Sequence, residues 1–309
     1  MSRLINFGSL CVDWVYQVPN LVAAGETIAS VGRAVHPGGK GLNQSIAAAL
    51  AGAEVAHFGA VGDDGAALIE ALVNAGVDTR GILQLQDGSG HAVIQVDTDG
   101  RNAIVIYPGA NRSIPQSHWR FMLDSMAVGD WLLVQNETND VGEVLSQARQ
   151  RGIKIAANLA PADDRIAEYP IEHVALLIVN EVEAMALAQR SDVQSAFAEL
   201  RQRYPHIDVV LTLGGDGLWY AMADQPSAFY LESHKVDAVD ETAAGDAFIG
   251  YLMAALLAHT SLPEALVLAS AAGALAVTQA GAASSLPARD DVEAMRRRTP
   301  LSLKPLEFD

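Results

Sequence analysis

The sequence predicts an α/β protein: a doubly wound, mostly parallel sheet with a small antiparallel β lid. Three observations carry that expectation. Short apolar runs recur along the chain, as at 55–61, and read as strands buried on both faces of a parallel sheet. Helix-like segments alternate with them, which requires crossovers that place helices on both faces. One region breaks the alternation: two β-branched runs flank Asp97-Thr98-Asp99-Gly100-Arg101-Asn102, a hairpin signal with a glycine in its turn.

In chain order, residues 4–7 form a short strand that ends at Gly8. Segments 12–18 and 27–35 are strand-like and, with the hairpin arms 91–96 and 103–107, give a lid spanning about 12–35 and 90–107. Residues 41–51 are an alanine-rich helix, 55–61 a strand, and 64–75 a helix that stops at Gly76 as its C-cap. Buried strands follow at 131–134, 153–156, 176–179 and 209–213, with helices at 141–151 and 181–189. No internal repeat or low-complexity linker divides the chain, so residues 1–309 are read as one domain. A small sheet with one free face must cover it with a ligand or another subunit, and the expectation is a lid that also forms a homodimer.

Bulk properties exclude several classes of partner. The net charge of −17 argues against nucleic acid and anionic membranes, whose binding relies on clustered Lys and Arg. An anionic ligand would have to be met locally, by a helix N-terminus, a few cations or Mg²⁺. The apolar stretches at 251–258 and 265–277 fall short of the roughly 20 residues that cross a bilayer. The start Met-Ser-Arg-Leu-Ile-Asn-Phe-Gly has no signal-peptide pattern, and the single cysteine, Cys11, allows no internal disulfide. A cytoplasmic, reducing location is expected.

Two motifs carry chemistry. Val239-Asp240-Glu241-Thr242-Ala243-Ala244-Gly245-Asp246-Ala247-Phe248 runs into a helix that continues through Ala258. Small residues before a helix leave N–H groups bare, and these join the helix dipole in an anion site. Asp246 falls in the first turn, where an acid also suits the dipole for purely structural reasons. The second motif, His36-Pro37-Gly38-Gly39-Lys40-Gly41-Leu42-Asn43-Gln44, lets backbone approach a ligand while Lys40 and Asn43 offer donors. Lys40 is followed by Gly41 rather than Ser or Thr, so this is no Walker loop. Gly8 stands alone, so the dinucleotide fingerprint is also missing.

In their relative positions these motifs resemble the two signatures of the ribokinase-like (PfkB) carbohydrate kinase family, over nearly the whole chain. Segment 8–13 is similar to the family's opening strand and sugar-binding acid, Gly59-Ala60-Val61-Gly62-Asp63-Asp64-Gly65 to its strand-turn-helix, Asn180-Glu181-Val182-Glu183 to its N-x-x-E element and Thr212-Leu213-Gly214-Gly215-Asp216-Gly217 to its nucleotide loop. Asn158 with Ala160-Pro161-Ala162, and Gln135-Asn136-Glu137, resemble the form these motifs take in its ribose-phosphorylating branch.

The resemblance implies ATP-dependent phosphorylation of a sugar's primary hydroxyl, with D-ribose the leading substrate. Asp246 would be the catalytic base, and the N–H groups of Ala243, Ala244 and Gly245 would hold the charge on the transferred group. Asp13, Gly39, Lys40, Asn43 and Glu137 would bind the sugar. Asn180, Thr212, Gly214 and Gly217 would bind the nucleotide, with Glu183 acting on Mg²⁺ through water. Asn180 and Glu183 are also spaced as a capping box. Asp240, Thr242, Ala276, Gln279, Gly281 and Ser285 would surround a monovalent cation, K⁺ being the expected activator.

Two positions depart from the family pattern. Cys11 stands where an asparagine usually faces the sugar, and a thiol is a poor hydrogen-bond partner. Glu241 stands where Thr is usual. Another sugar, a sugar acid or a nucleoside would suit the same chemistry, and a non-catalytic sugar or nucleotide sensor is the alternative of another class.

Overall fold

A computed structural model describes residues 2–306. In chain order the elements are β1 (Leu4–Phe7), β2 (Cys11–Gln17), β3 (Gly32–Gly38), α1 (Lys40–Leu50), β4 (Val55–Val61), α2 (Ala66–Asn74), β5 (Asp78–Gln84), β6 (Gly90–Val96), β7 (Asn102–Tyr107), α3 (Gln116–Ser125), β8 (Trp131–Gln135), α4 (Val141–Gln150) and β9 (Lys154–Asn158). There follow β10 (Leu176–Asn180), α5 (Glu181–Ala188), α6 (Val193–Arg203), β11 (Asp208–Thr212), β12 (Leu218–Ala221), β13 (Ala228–Leu231), α7 (Ala244–Leu257), α8 (Leu262–Ala276), α9 (Arg289–Arg298) and β14 (Lys304–Pro305).

Among the described residues the main sheet runs β14-β13-β12-β11-β10-β9-β8-β1-β4-β5. Pairing is parallel from β5 across to β11 and antiparallel from β11 to β14. The strands of the parallel part are apolar because helices cover both faces. Side chains alternate across the sheet: Ile5, Phe7, Leu132 and Val134 face the core under α3–α6. Leu4 and Leu133 face the core under α1, α2, α7 and α8. From β1 the chain proceeds outward to β4 and β5, then returns to lay β8–β11 on β1's other side. The order therefore reverses between β1 and β8, and such a switch point opens a crevice beyond the strand ends.

The second sheet has the order β3-β2-β6-β7, and it holds the predicted lid segments. β2–β3 and β6–β7 pair antiparallel, while β2 and β6 run parallel. The hairpin forms as expected, with Val96 opposite Asn102 and Gly100 at a positive φ of 79°. Strand β3 starts at Gly32 rather than near Thr27. A turn intervenes, in which the Glu26 carboxylate accepts hydrogen bonds from the Ala23 N–H and the Asn20 amide. Every residue of β7 is exposed.

Helix α7 brings Asp246 against α1 because Gly250 lets the two helices touch. A Cβ at Gly250 would collide with the Ala47 side chain and lie 2.6 Å from the Ala48 nitrogen. Gly250→Ala should therefore destabilise the protein by about 1–3 kcal/mol through overpacking, read from chemical denaturation. Unchanged stability would mean that α1 and α7 are not held this tightly.

Candidate active site

Polar residues end the central parallel strands: Gln135 closes β8, Asn158 β9, Asn180 β10 and Thr212 β11, with Gln135 opposite Asn158 and Asn180 opposite Thr212. Asn158, Asn180 and Thr212 line the crevice beyond these strand ends, and Gln135 lies buried behind it. At its centre Asp246, the third residue of α7, is only 8% exposed. Its Oδ2 accepts from the Asn43 Nδ2 and its Oδ1 from the Gln44 Nε2, both at 2.9 Å. The helix begins at Ala244, so Ala244 and Gly245 form its first turn instead of preceding it. Ala243 caps the helix from the left-handed region, at φ 61°. The N–H groups of that turn have no acceptor within the regular helix, although the Ala244 N–H makes a long 3.3 Å bond to the Glu241 carbonyl.

Two cavities meet here. One, of about 220 Å³, is lined by Lys40, Asn180, Glu183, Ala243, Gly245 and Asp246 among others. The second, of about 450 Å³, is lined by Thr212, Gly214, Gly217, Ala244, Gly245, Phe248, Ser270 and Gly273 among others. Thr212, Glu241, Gly245 and Phe248 line both. Gly245 has open space where a Cβ would stand, while Gly217 takes φ 99° to pass close beneath the Leu231 carbonyl.

The remaining expected residues gather on the other side of Asp246. Gly39, at φ 95°, is the N-cap of α1. The Glu137 carboxylate accepts from the Ser9 hydroxyl and, at 3.1 Å, from the Lys40 N–H. Asp13 lies against Gly38, where any Cβ would strike its carboxylate. Cys11 is buried beside Asn111, whose amide lies 3.5 Å from the sulfur.

This is an acid-rich site around one lysine. Burial, then the charges of Glu137 and Asp246, push the Asp13 carboxyl up to about 6. Burial also raises Asp246, Glu137 and Glu183, with Lys40 pulling each back. Burial would lower Lys40, but Asp246, Glu137 and Glu183 outweigh it and hold the ammonium above its ordinary value. Desolvation, with Glu137 and Asp13 nearby, keeps the Cys11 thiol protonated.

Asn180 and Glu183 form the expected capping box. Glu183 Oε2 accepts from the Asn180 N–H, and Asn180 Oδ1 from the Glu183 N–H, each at 2.9 Å. Glu183 Oε1 accepts from the Asn180 amide, so both its oxygens are engaged and it fits a metal better through water than directly. Asp240 accepts from the Thr242 N–H and hydroxyl through Oδ1 and from the Gly281 N–H through Oδ2. The Val239 and Asp240 N–H groups bond the Val277 carbonyl. These bonds bring the loop of Asp240 and Thr242 against the end of α8, which finishes at Ala276, and against the following turn that holds Gln279 and Gly281. Ser285 is buried further along, its hydroxyl bonded to the Ala282 carbonyl. Among the described residues no group of three or more His, Cys, Asp or Glu is placed to hold a metal ion.

Ser9, Gln44 and Gln135 also belong to this constellation as contacts of the expected residues. Polar residues at the ends of β8 and β9 were the available signal. A carboxyl lifted from 3.8 to about 6 by folding favours the native state while protonated, and that contribution fades as pH rises from about 4 through 6. Asp13→Asn should raise the melting temperature at pH 8 and give no such gain at pH 4. An equal shift at both values would contradict the burial of this charge.

The comparisons agree with the geometry. The family model for pfkB family carbohydrate kinases matches residues 1–289. A ribokinase of Haemophilus influenzae is 35% identical over 299 residues, covering 94% of this chain and 97% of its own. The solved ribokinase of Cryptococcus neoformans in complex with ADP superposes with a TM-score of 0.83 at 32% identity, over 95% of this chain and 99% of that one. An Arabidopsis thaliana ribokinase complexed with ribose and ATP gives 0.85 at 25% identity, over 96% and 99%. With a family match over almost its full length and the family's motifs converging on one crevice, the chain belongs to the pfkB family of carbohydrate kinases.

Proposed function

We propose that this kinase transfers the γ-phosphoryl group of MgATP to the primary hydroxyl of D-ribose, giving ribose 5-phosphate and ADP. The observation that carries the reading is the placement of Asp246: a buried carboxylate in the first turn of α7, bonded to Asn43 and lining one cleft with Lys40. The ribokinase relatives, one solved with ribose and ATP, support the choice of sugar.

Asp246 takes the hydroxyl proton as the sugar oxygen bonds to the γ-phosphorus and the bridging bond to ADP breaks. Because the transition state of phosphoryl transfer is loose, positioning and charge stabilisation do most of the work. The amides of the cap Ala243 and of the first-turn residues Ala244 and Gly245 receive the charge that develops there. Asp13, Gly39, Lys40, Asn43 and Glu137 hold the sugar, the carboxylates each accepting from hydroxyls. Asn180, Thr212, Gly214 and Gly217 hold the nucleotide in the adjoining cavities. Mg²⁺ would supply neutralisation of phosphate charge, and Glu183 would hold it through water. Asp240, Thr242, Ala276, Gln279, Gly281 and Ser285 would hold K⁺, whose charge would favour the anionic transferred group. The whole chain acts as one kinase unit, its second sheet a lid, and the exposed apolar strand β7 supports a homodimer formed through it. The lone Cys11 fits a cytoplasmic setting.

An ADP-release assay over a panel of sugars and nucleosides, with and without K⁺, should give the highest kcat/KM for D-ribose and a K⁺-dependent rate. Preference for a nucleoside would overturn the substrate. Asp246→Asn should cut kcat by at least the roughly 10²–10⁴ that a general base supplies, with sugar affinity by calorimetry nearly intact. A near-native kcat would remove Asp246 from its role. Since ionised Asp13 accepts from hydroxyls at both oxygens and protonation turns one of them into a donor, the KM for the sugar should rise as pH falls below about 6, and a flat profile would exclude Asp13 from sugar binding. Gly245→Ala, whose Cβ meets open space, should leave the fold intact and weaken ATP binding; unaltered nucleotide affinity would place the phosphates elsewhere.

A further inference from the structure

Behind Asp246 lies a line of buried side chains that the reaction does not itself require. His57 Nε2 is 3.2 Å from the Gly8 carbonyl, which can only accept, so that nitrogen carries the proton. The Ser45 hydroxyl then donates to His57 Nδ1 at 2.9 Å. Asn6 Nδ2 donates to Ser45 Oγ at 2.8 Å and to the Gly41 carbonyl at 2.9 Å. Gln135 Nε2 donates to Asn6 Oδ1 at 3.0 Å and to Gln44 Oε1 at 2.8 Å. Gln44 Nε2 donates to Asp246 Oδ1 at 2.9 Å and to Asn158 Oδ1 at 3.1 Å. Asn6, Gln44, Ser45, His57 and Gln135 are wholly inaccessible to solvent.

Each amide in this line has two N–H bonds and uses both. Two backbone carbonyls, of Gly8 and Gly41, fix its polarity at one end. Every amide downstream is thereby oriented, and the line terminates by presenting a donor to Asp246. Reversing Gln44 would turn its carbonyl towards the carboxylate and break its bonds to Gln135, Asn158 and Asp246 together. We propose that Gln135, through Gln44, is a positioning residue that holds Asp246 in one rotamer as a hydrogen-bond acceptor, ready to take the proton. The proposal rests on the assignment of Asp246 as the base.

The charged groups facing Asp246 are Lys40 from α1, Asp13 from β2, Glu137 beyond β8 and Glu183 from α5, with Glu241 in the same cleft. None is altered by a neutral substitution at Gln135, so a changed profile reports the line. The test is the pH dependence of kcat at saturating sugar, which removes the effect of Asp13 on binding, for Gln135→Met and Gln135→Asn. Methionine removes both donors, and asparagine keeps a neutral buried amide one methylene short of Gln44 should methionine prevent folding. Both should lower kcat about 10–100-fold, the worth of a hydrogen bond to a charged group. Both should also move the acid limb upward by about one pH unit, with the KM for the sugar within about threefold of the parent. A lowered kcat with an unmoved acid limb, or a loss confined to KM, would overturn the proposal. Asp246→Asn separates the two claims. If that variant is inactive while the Gln135 variants keep the parent profile, only the positioning role fails; if it is active, the base assignment fails.

Discussion

The site depends on keeping one carboxylate buried beside the N-terminus of α7. Burial alone disfavours the charge on Asp246, and three contributions oppose that cost: the Lys40 ammonium and the amides of Asn43 and Gln44. The helix dipole works in the same direction. Each compensating group comes from α1, so the approach of α1 to α7 at Gly250 and Ala47 is part of the catalytic arrangement as much as of the core. A solvated aspartate would be a weaker base and a less fixed one. Here the same low-dielectric setting that raises its proton affinity also strengthens its hydrogen bonds from Asn43 and Gln44.

The overall charge of −17 and a polyphosphate substrate are reconciled by the same geometry. Lys40 is held above its ordinary pKa by the acids around it, so it stays charged through the working range. Oriented backbone also lines the larger cavity: the α7 tip at Ala244 and Gly245 and the glycines at 214, 215 and 217. A basic patch is unnecessary when dipoles are fixed in place before the ligand arrives.

Much of this could be read from the sequence. The strands β1, β4, β8, β9, β10 and β11 were legible because burial on both faces makes them apolar throughout, and Gly76 marked the end of α2 with its φ of 84°. The edge strands were not. β5, Asp-Thr-Arg-Gly-Ile-Leu-Gln, carries polar residues because one side of it meets solvent, and β12–β14 lie in the antiparallel extension. The start of β3 was misplaced because the Glu26 turn is set by side-chain hydrogen bonds, not by hydrophobic period. At the site, the structure brings Asn43 onto Asp246 and sets Lys40, Asn180 and Glu183 around the same cleft, residues the sequence motifs had singled out. The amide line behind Asp246 was illegible, since its partners stand 129 and 202 positions apart and no local pattern links them.

The central claim is spatial, and a complex tests it most directly. A crystal structure with D-ribose and a non-hydrolysable ATP analogue should place the sugar's primary hydroxyl within hydrogen-bond reach, about 2.6–3.2 Å, of an Asp246 oxygen. The terminal phosphate should lie against the N–H groups of Ala243, Ala244 and Gly245. A sugar whose primary hydroxyl points away from Asp246, or a terminal phosphate seated off the α7 tip, would contradict the account.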